Sequence, residues 1–327
     1  MKTFNKYISE SINEALINKN TKISTYNYFP KTKEELKRII KDKIAKMVSQ
    51  KSSNLYLDDI DVSKIDDMNS LFMGIPGSLN IKKIDVTGWN TSKVESMGYM
   101  FGLLNNLKEI SGIEDFHTEN VERMSYMFLE CKKLKKINLS NWNIKKVTSL
   151  SGMFKDCQRL TEIIGLENLK TDVLLYTNDM FYNCFKLEKI DINNWNTSNL
   201  FSTANMFRNC KKLTDVKIGK IDTSHIASME SMFENCQSLV NIDDLSNWDL
   251  QALSTFKKMF KKCYNLIKIK GLDNWFKGNR QQRKYMDEMF AECVNLKDIG
   301  DIDYWRFIDS KKDMFKNTNI DNIPKWY

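Results

Sequence analysis

Each of the seven cysteines stands three residues after the phenylalanine of a Met-Phe pair, and the coincidence repeats along most of the chain. The set is Cys131, Cys157, Cys184, Cys210, Cys236, Cys263 and Cys293, with phenylalanines from Phe128 to Phe290 spaced by 26, 27, 26, 26, 27 and 30 residues. Self-similarity at such a period means one supersecondary unit copied in series. Leu71-Phe72 with Ile75, Met100-Phe101 with Leu104, and Met314-Phe315 with Thr318 fill the same slots, which brings the total to ten copies.

One copy reads W-x4-V-x2-M-x2-M-F-x2-C-x2-L-x2-I. In Val147, Leu150, Met153, Phe154, Cys157 and Leu160 the apolar positions step by three or four, the spacing of a helical face or of linked short turns. In Leu134, Ile137 and Leu139 they tighten to the period of a strand. An Asn-Trp-Asn-Thr-Ser segment then favours turn chemistry. The expected unit is a short strand, a turn and a brief helix, stacked into an α/β solenoid with a parallel sheet. One copy cannot offset its own ordering entropy of roughly 1–2 kcal/mol per residue, so stability comes from neighbours covering each other. Ten strands about 4.8 Å apart give a ladder roughly 45 Å long.

Equivalent cysteines in stacked coils point the same way, so a disulfide framework is not expected, and an odd count leaves one unpaired. A zinc site is not expected either: there is no Cys-x-x-Cys, and only His117 and His225 are present. The expectation is a core ladder of reduced thiols beside a Met-Phe core, without a cofactor. Trp89, Trp142, Trp195 and Trp248 recur every 53 residues, with Phe116, Leu169 and Ile221 between them. Exchange among such residues asks for bulk, so a buried corner is expected rather than a row for stacking glycans.

The strings Asn194-Trp195-Asn196-Thr197-Ser198, Ser231-Met232-Phe233-Glu234-Asn235-Cys236 and Leu187-Glu188-Lys189-Ile190-Asp191-Ile192 resemble the BspA-type leucine-rich-repeat surface proteins, mycoplasma lipoprotein repeat included. The resemblance spans roughly residues 55 to 320. It implies a leucine-rich-repeat-like solenoid for adhesion or partner binding, without catalysis. Many relatives carry a secretion or lipoprotein signal, whereas Met1 to Glu14 lacks an apolar core segment and a lipobox cysteine. On that reading the chain is cytoplasmic or a phage or virion component, since the amphipathic opening also resembles N-termini of gut phage proteins. No stretch reaches the length of a membrane span.

Residues 1–52 read as a helical segment and cap, and 53–327 as the solenoid. Phe4, Tyr7, Ile8, Ile12, Ala15 and Leu16 trace one helical face. A second helix follows Pro30, with Thr32 and Glu35 as a capping box and Leu36, Ile39, Ile40, Ile44, Met47 and Val48 as its stripe. The stretches Met73 to Asn80 and Lys277 to Gln282 should bulge as loops. Ile320, Ile323, Pro324 and Trp326 should fold back as a lid.

The first 50 residues hold eleven Lys or Arg and five acids, a net of +6 out of +8, so the basicity is local. It supports an alternative reading, binding of nucleic acid or an anionic surface through the N-terminal segment. Against it, the cations interleave with an ordinary amphipathic stripe. Catalysis needs unlike groups converging at one place, whereas here like positions recur along a rod. The favoured reading is a monomeric, non-enzymatic scaffold for a protein or glycan partner. Its candidate binding residues face outward on the strands: Lys135, Lys136, Asn138, Glu188, Lys189, Asp191, Thr214, Asp215, Lys217, Lys268 and Lys270, with Ile267 beside the last two. They vary between coils while the core slots do not.

Overall fold

In the computed structural model, residues 26–276, 283–305, 308–321 and 323–327 are described. The expected first helix and the loop at 277–282 lie outside them. Helix α1, Lys33–Ser49, begins at Thr32, whose Oγ1 accepts the Glu35 N–H at 3.2 Å. The Glu35 carboxylate reaches the Lys31 N–H at 2.7 Å, so the capping box closes one residue further out than its usual form. Leu36, Ile40, Ile44 and Met47 are buried, Ile39 is half-buried, and Val48 stays largely exposed. The helix packs on the first coil at the expected bulge, where a Cβ on Gly77 would stand 2.9 Å from Val48 Cγ2 and 3.2 Å from Ile44 Cγ2.

Beyond α1 the chain winds as parallel coils. The strands are β1 Asn54–Tyr56, β2 Lys83–Asp85, β3 Glu109–Ser111, β4 Lys136–Asn138, β5 Glu162–Ile164, β6 Lys189–Asp191 and β7 Asp215–Lys217. Further along, Asn241 bridges Lys268 and Lys268 bridges Asp298, while β7 is not bridged to Asn241. A second parallel ladder runs from Asp67 through Ser96, Arg123, Ser149, Tyr176, Ser202, Ser228 and Thr255 to Tyr285. There it meets β8, Lys284–Tyr285, and then β9, Ile308–Ser310.

The strand-turn-helix expectation for each coil needs correction. Among the described residues α1 is the one α-helix, and the Met-Phe-x-x-Cys segment is a chain of tight turns. Two residues per coil explain this. Tyr126 (φ 59°) and Glu130 (φ 56°) are left-handed, and Asp179 and Asn183 repeat the arrangement two coils later. With those reversals, alternate N–H groups leave the coil: Tyr126, Phe128 and Glu130 donate to the carbonyls of Ser151, Met153 and Lys155 at 2.8–2.9 Å. Leu129 and Cys131 instead close turns onto Tyr126 and Phe128. Spacing by three and four fits both a helix and such turns, and the inter-coil bonds decide for turns. Left-handed backbone is strained for most side chains, and Asn and Asp tolerate it best. At the position before the cysteine they form a polar ladder: Asn183 Nδ2 donates to Asp156 Oδ1, Asn209 to Asn183 and Asn235 to Asn209, at 2.7–2.8 Å.

Inside, ten phenylalanines from Phe72 to Phe315 stack coil on coil with ring centroids 5.3–5.9 Å apart. All seven cysteines are free and buried. Each thiol donates to the carbonyl of the phenylalanine one coil earlier, from Cys131 to Phe101 through Cys293 to Phe260, at 2.9–3.2 Å. A cysteine therefore serves this slot as a small apolar group that also satisfies a buried acceptor.

The tryptophans are buried donors. Trp89, Trp142, Trp195 and Trp248 give their indole N–H to Leu57, Ile113, Leu166 and Ile218 carbonyls of earlier coils at 2.8–3.3 Å. Three of these acceptors, Ile113, Leu166 and Ile218, lie at breaks in the sheet. Ladder pairing joins β1-β2-β3, then β4-β5, then β6-β7, with β3 unpaired to β4 and β5 to β6. The breaks after β3 and β5 follow strands that run into a left-handed glycine, Gly112 or Gly165, and a 3₁₀ turn, Ile113–Asp115 or Leu166–Asn168. Trp142 and Trp195 bond across the gaps. Gly165 has φ 83°, and a Cβ there would meet Ser140 Cα at 2.5 Å. Gly165→Ala should therefore cost about 1–3 kcal/mol of backbone strain, read as a fall in the urea midpoint; an unchanged midpoint would mean the turn has room to relax.

At the C-terminus, Trp326 stacks on Trp305 and its indole N–H reaches Ile302 O at 2.8 Å, while Tyr327 meets Phe315 edge-on. Pro324 and Ile320 are buried, but Ile323 is half exposed.

Candidate functional site

On the outer face of the strand ladder, the residue before each buried slot alternates in charge. Lys83 lies opposite Glu109, Lys136 opposite Glu162, Lys189 opposite Asp215, and Lys268 opposite Asp298, with Asn54 and Asn241 at the remaining places. Opposite charges across neighbouring strands attract, so the face neutralises itself. Lys83 and Glu109 close to 2.7 Å, Lys136 and Glu162 to 2.5 Å, and Lys268 to Asp298 as well. The Glu109 carboxylate raises the Lys83 pKa, and Lys268 lowers that of Asp298. Exposed pairs of this kind contribute little to stability, because water and salt screen them.

Lys189 and Asp215 behave differently. They are opposed in register, as are Asp191 and Lys217, yet neither pair closes to ion-pair distance. These four residues line a surface groove of about 370 Å³ with Thr161, Glu162, Ile163, Glu167 and Glu188, over the unpaired gap between β5 and β6. Its floor includes Ile163, half-buried, whereas the residue in that slot of each other coil, Ile137 or Ile190 for example, is buried. Thr214 adjoins the groove, its N–H and hydroxyl both on the Glu188 carbonyl.

The structure thus gathers Glu188, Lys189, Asp191, Thr214, Asp215 and Lys217 and leaves the other candidates apart. Lys136 is held by Glu162, Lys135 offers its carbonyl to Thr161, and Asn138 caps a turn through Ser140 N–H. Lys268 and Lys270 are exposed two coils further along, Lys268 paired with Asp298. Sequence reasoning missed Glu162, Ile163 and Glu167. Gly165, breaking a strand pattern after Ile163-Ile164, is the signal that could have found them.

The basic N-terminal segment is partly consumed by the fold. Lys33 pairs with Asp67 at 2.9 Å, Lys43 with Asp59 at 2.7 Å, and Lys37 Nζ donates to Ser70 O at 3.4 Å. Arg38 and Lys41 remain outward, beside Glu34 and the Gly74–Pro76 bulge. His117 and His225 sit exposed on turns four coils apart, and His225 Nδ1 is 3.1 Å from Ser224 Oγ. Among the described residues no three His, Cys, Asp or Glu side chains are grouped to hold a metal ion, and no helix is long and apolar enough to cross a membrane.

A family described as Mycoplasma protein of unknown function, DUF285, matches residues 42–166 and 175–305, more than half of the chain. The chain belongs to that family. Membership accords with the resemblance to BspA-type leucine-rich-repeat proteins, which takes in a mycoplasma repeat. Among solved structures, this DUF285 chain is similar to a leucine-rich repeat protein from Eubacterium ventriosum, 16% identical, with 87% of this chain and 89% of that one covered at a TM-score of 0.33. A leucine rich cell surface protein from Faecalibacterium prausnitzii is 15% identical over 83% of each chain, at 0.29. The Toll–Spatzle complex of Drosophila gives 13% identity over 79% of this chain and 43% of that one, at 0.22. No curated protein matches.

Proposed function

We propose that the DUF285 chain is a non-enzymatic binding scaffold whose strand face receives a protein partner at the groove over β5 to β7. The observation carrying this reading is Ile163, a core-slot residue left half open where the ladder is unpaired. A regular stack that exposes apolar surface at one interruption forgoes burial there, which selection for stability alone would not favour. Burial of Trp89, Trp142, Trp195 and Trp248 favours protein over glycan, because these recurring indoles are not offered for stacking. The ion pairs of Lys33 and Lys43 count against the anionic-surface alternative. On this reading α1 closes the first coil and the Pro324–Tyr327 segment the last, since an open solenoid end needs cover.

The test places bulk on the face without altering charge. Thr161→Trp and Thr214→Trp, made together in the full chain, should lower retention of the partner captured from the native environment at least tenfold, with the thermal midpoint within about 2 °C. Equal retention by variant and wild type would remove the strand face from consideration.

A further inference from the structure

The groove at the sheet break has a charge at odds with the rest of the molecule. The chain as a whole is +8, yet the groove lining carries Glu162, Glu167, Glu188, Asp191 and Asp215 against Lys189 and Lys217. Glu162 is engaged by Lys136 from outside the groove. Glu167 and Glu188 have no ion-pair partner among the described residues, and Asp215 faces a lysine with which it does not close. Elsewhere on the same ladder such register pairs do close. Here the carboxylates are held apart around a half-open isoleucine.

We infer that the groove takes a cationic segment of a partner protein, one that lays an apolar side chain on Ile163 while its lysine or arginine groups reach Glu167, Glu188 and Asp215. This deepens the scaffold reading and rests on it. The sheet break supplies the opening. Ile163 supplies the apolar seat, and a surplus of unpaired carboxylates selects the sign of the partner's charge. A segment with a basic, an apolar and a basic residue at every second position fits both demands, because side chains two apart in an extended strand share a face. An anionic partner is disfavoured by the same carboxylates.

The probe is a fluorescein-labelled peptide, Gly-Lys-Ser-Leu-Ser-Lys-Gly, titrated with the full chain by anisotropy at low and at physiological salt, beside its Glu-for-Lys counterpart. The lysine peptide should bind and the glutamate peptide should not, with affinity falling as salt screens the groove. Two variants have opposite expected signs: Glu167→Lys with Glu188→Lys should weaken binding at least tenfold, and Lys189→Gln should tighten it severalfold. Both variants weakening binding, neither changing it, or equal binding of the two peptides would overturn the inference. If the peptide fails while the Thr161→Trp, Thr214→Trp chain still loses its captured partner, the strand face stands and the cationic assignment falls; if that chain keeps its partner, both fall.

Discussion

Raised from pH 7 toward pH 11 under reducing conditions, the chain should unfold steeply once pH passes about 9, and the seven buried thiols are the cause. Burial pushes the thiol pKa up at all seven positions, to about 12 at Cys293. In the unfolded chain the same groups titrate near 8.5–9. Above that value the unfolded state gives up protons that the native state must keep, so stability is intact below pH 9 and declines as pH climbs toward the native pKa values. Each thiol contributes a slope of about 1.4 kcal/mol per pH unit, and seven together contribute on the order of 10 kcal/mol per unit. A typical reserve of about 5–15 kcal/mol is then exhausted within one to two units. Deprotonation would also strip each Phe carbonyl of its S–H donor. Tryptophan fluorescence in reductant against pH should show a cooperative transition near pH 10, and Cys210→Ala with Cys236→Ala should make it shallower. A native signal unchanged to pH 10.5 would contradict a sealed thiol ladder.

What the sequence disclosed and what it withheld follow from the range of the forces involved. Slots filled by one residue type in successive coils, such as the phenylalanines and cysteines, report a shared core directly, and each is buried. The path between slots was less legible, since apolar steps of three and four fit turns and helices alike. The discriminating signal is polar: Asp156, Asn183, Asn209 and Asn235 immediately precede cysteines, and Asn and Asp are the side chains best suited to left-handed backbone. The groove was hidden for a different reason. Glu188, Lys189 and Asp215 read as outward residues from local pattern, but that pattern does not carry which opposed pairs close: β6 and β7 pair in register as β4 and β5 do, yet Lys189 and Asp215 stay open where Lys136 and Glu162 close. A two-coil period now links the 53-residue tryptophan spacing, the alternating charges and the paired strands. Gaps fall where β3 and β5 run into Gly112 and Gly165, and again after β7, and Trp142, Trp195 and Trp248 bond across them.

Truncating one ring in the middle of the aromatic stack should cost far more than truncating one at its end. Phe207 is fully buried, with Phe181 at 5.5 Å on one side and Phe233 at 5.3 Å on the other, and its carbonyl receives the Cys236 thiol. Phe207→Ala removes both ring contacts and leaves a cavity that neighbouring coils, tied by backbone bonds on two ladders, cannot collapse to fill. Large-to-small changes of this kind cost about 3–5 kcal/mol. Phe315 stacks on Phe290 at 5.6 Å and otherwise meets Tyr327 edge-on, and it keeps slight exposure. Phe315→Ala should cost about half as much, because water and the terminal segment can move into the space. In a one-dimensional stack the coupling between neighbours carries cooperativity. The central substitution should therefore also split urea unfolding into two steps, with amides on the two sides of Phe207 exchanging at different denaturant concentrations. Equal losses at the two sites, with a single transition in both variants, would show that the coils are stabilised one by one and that the stacked rings do not couple them.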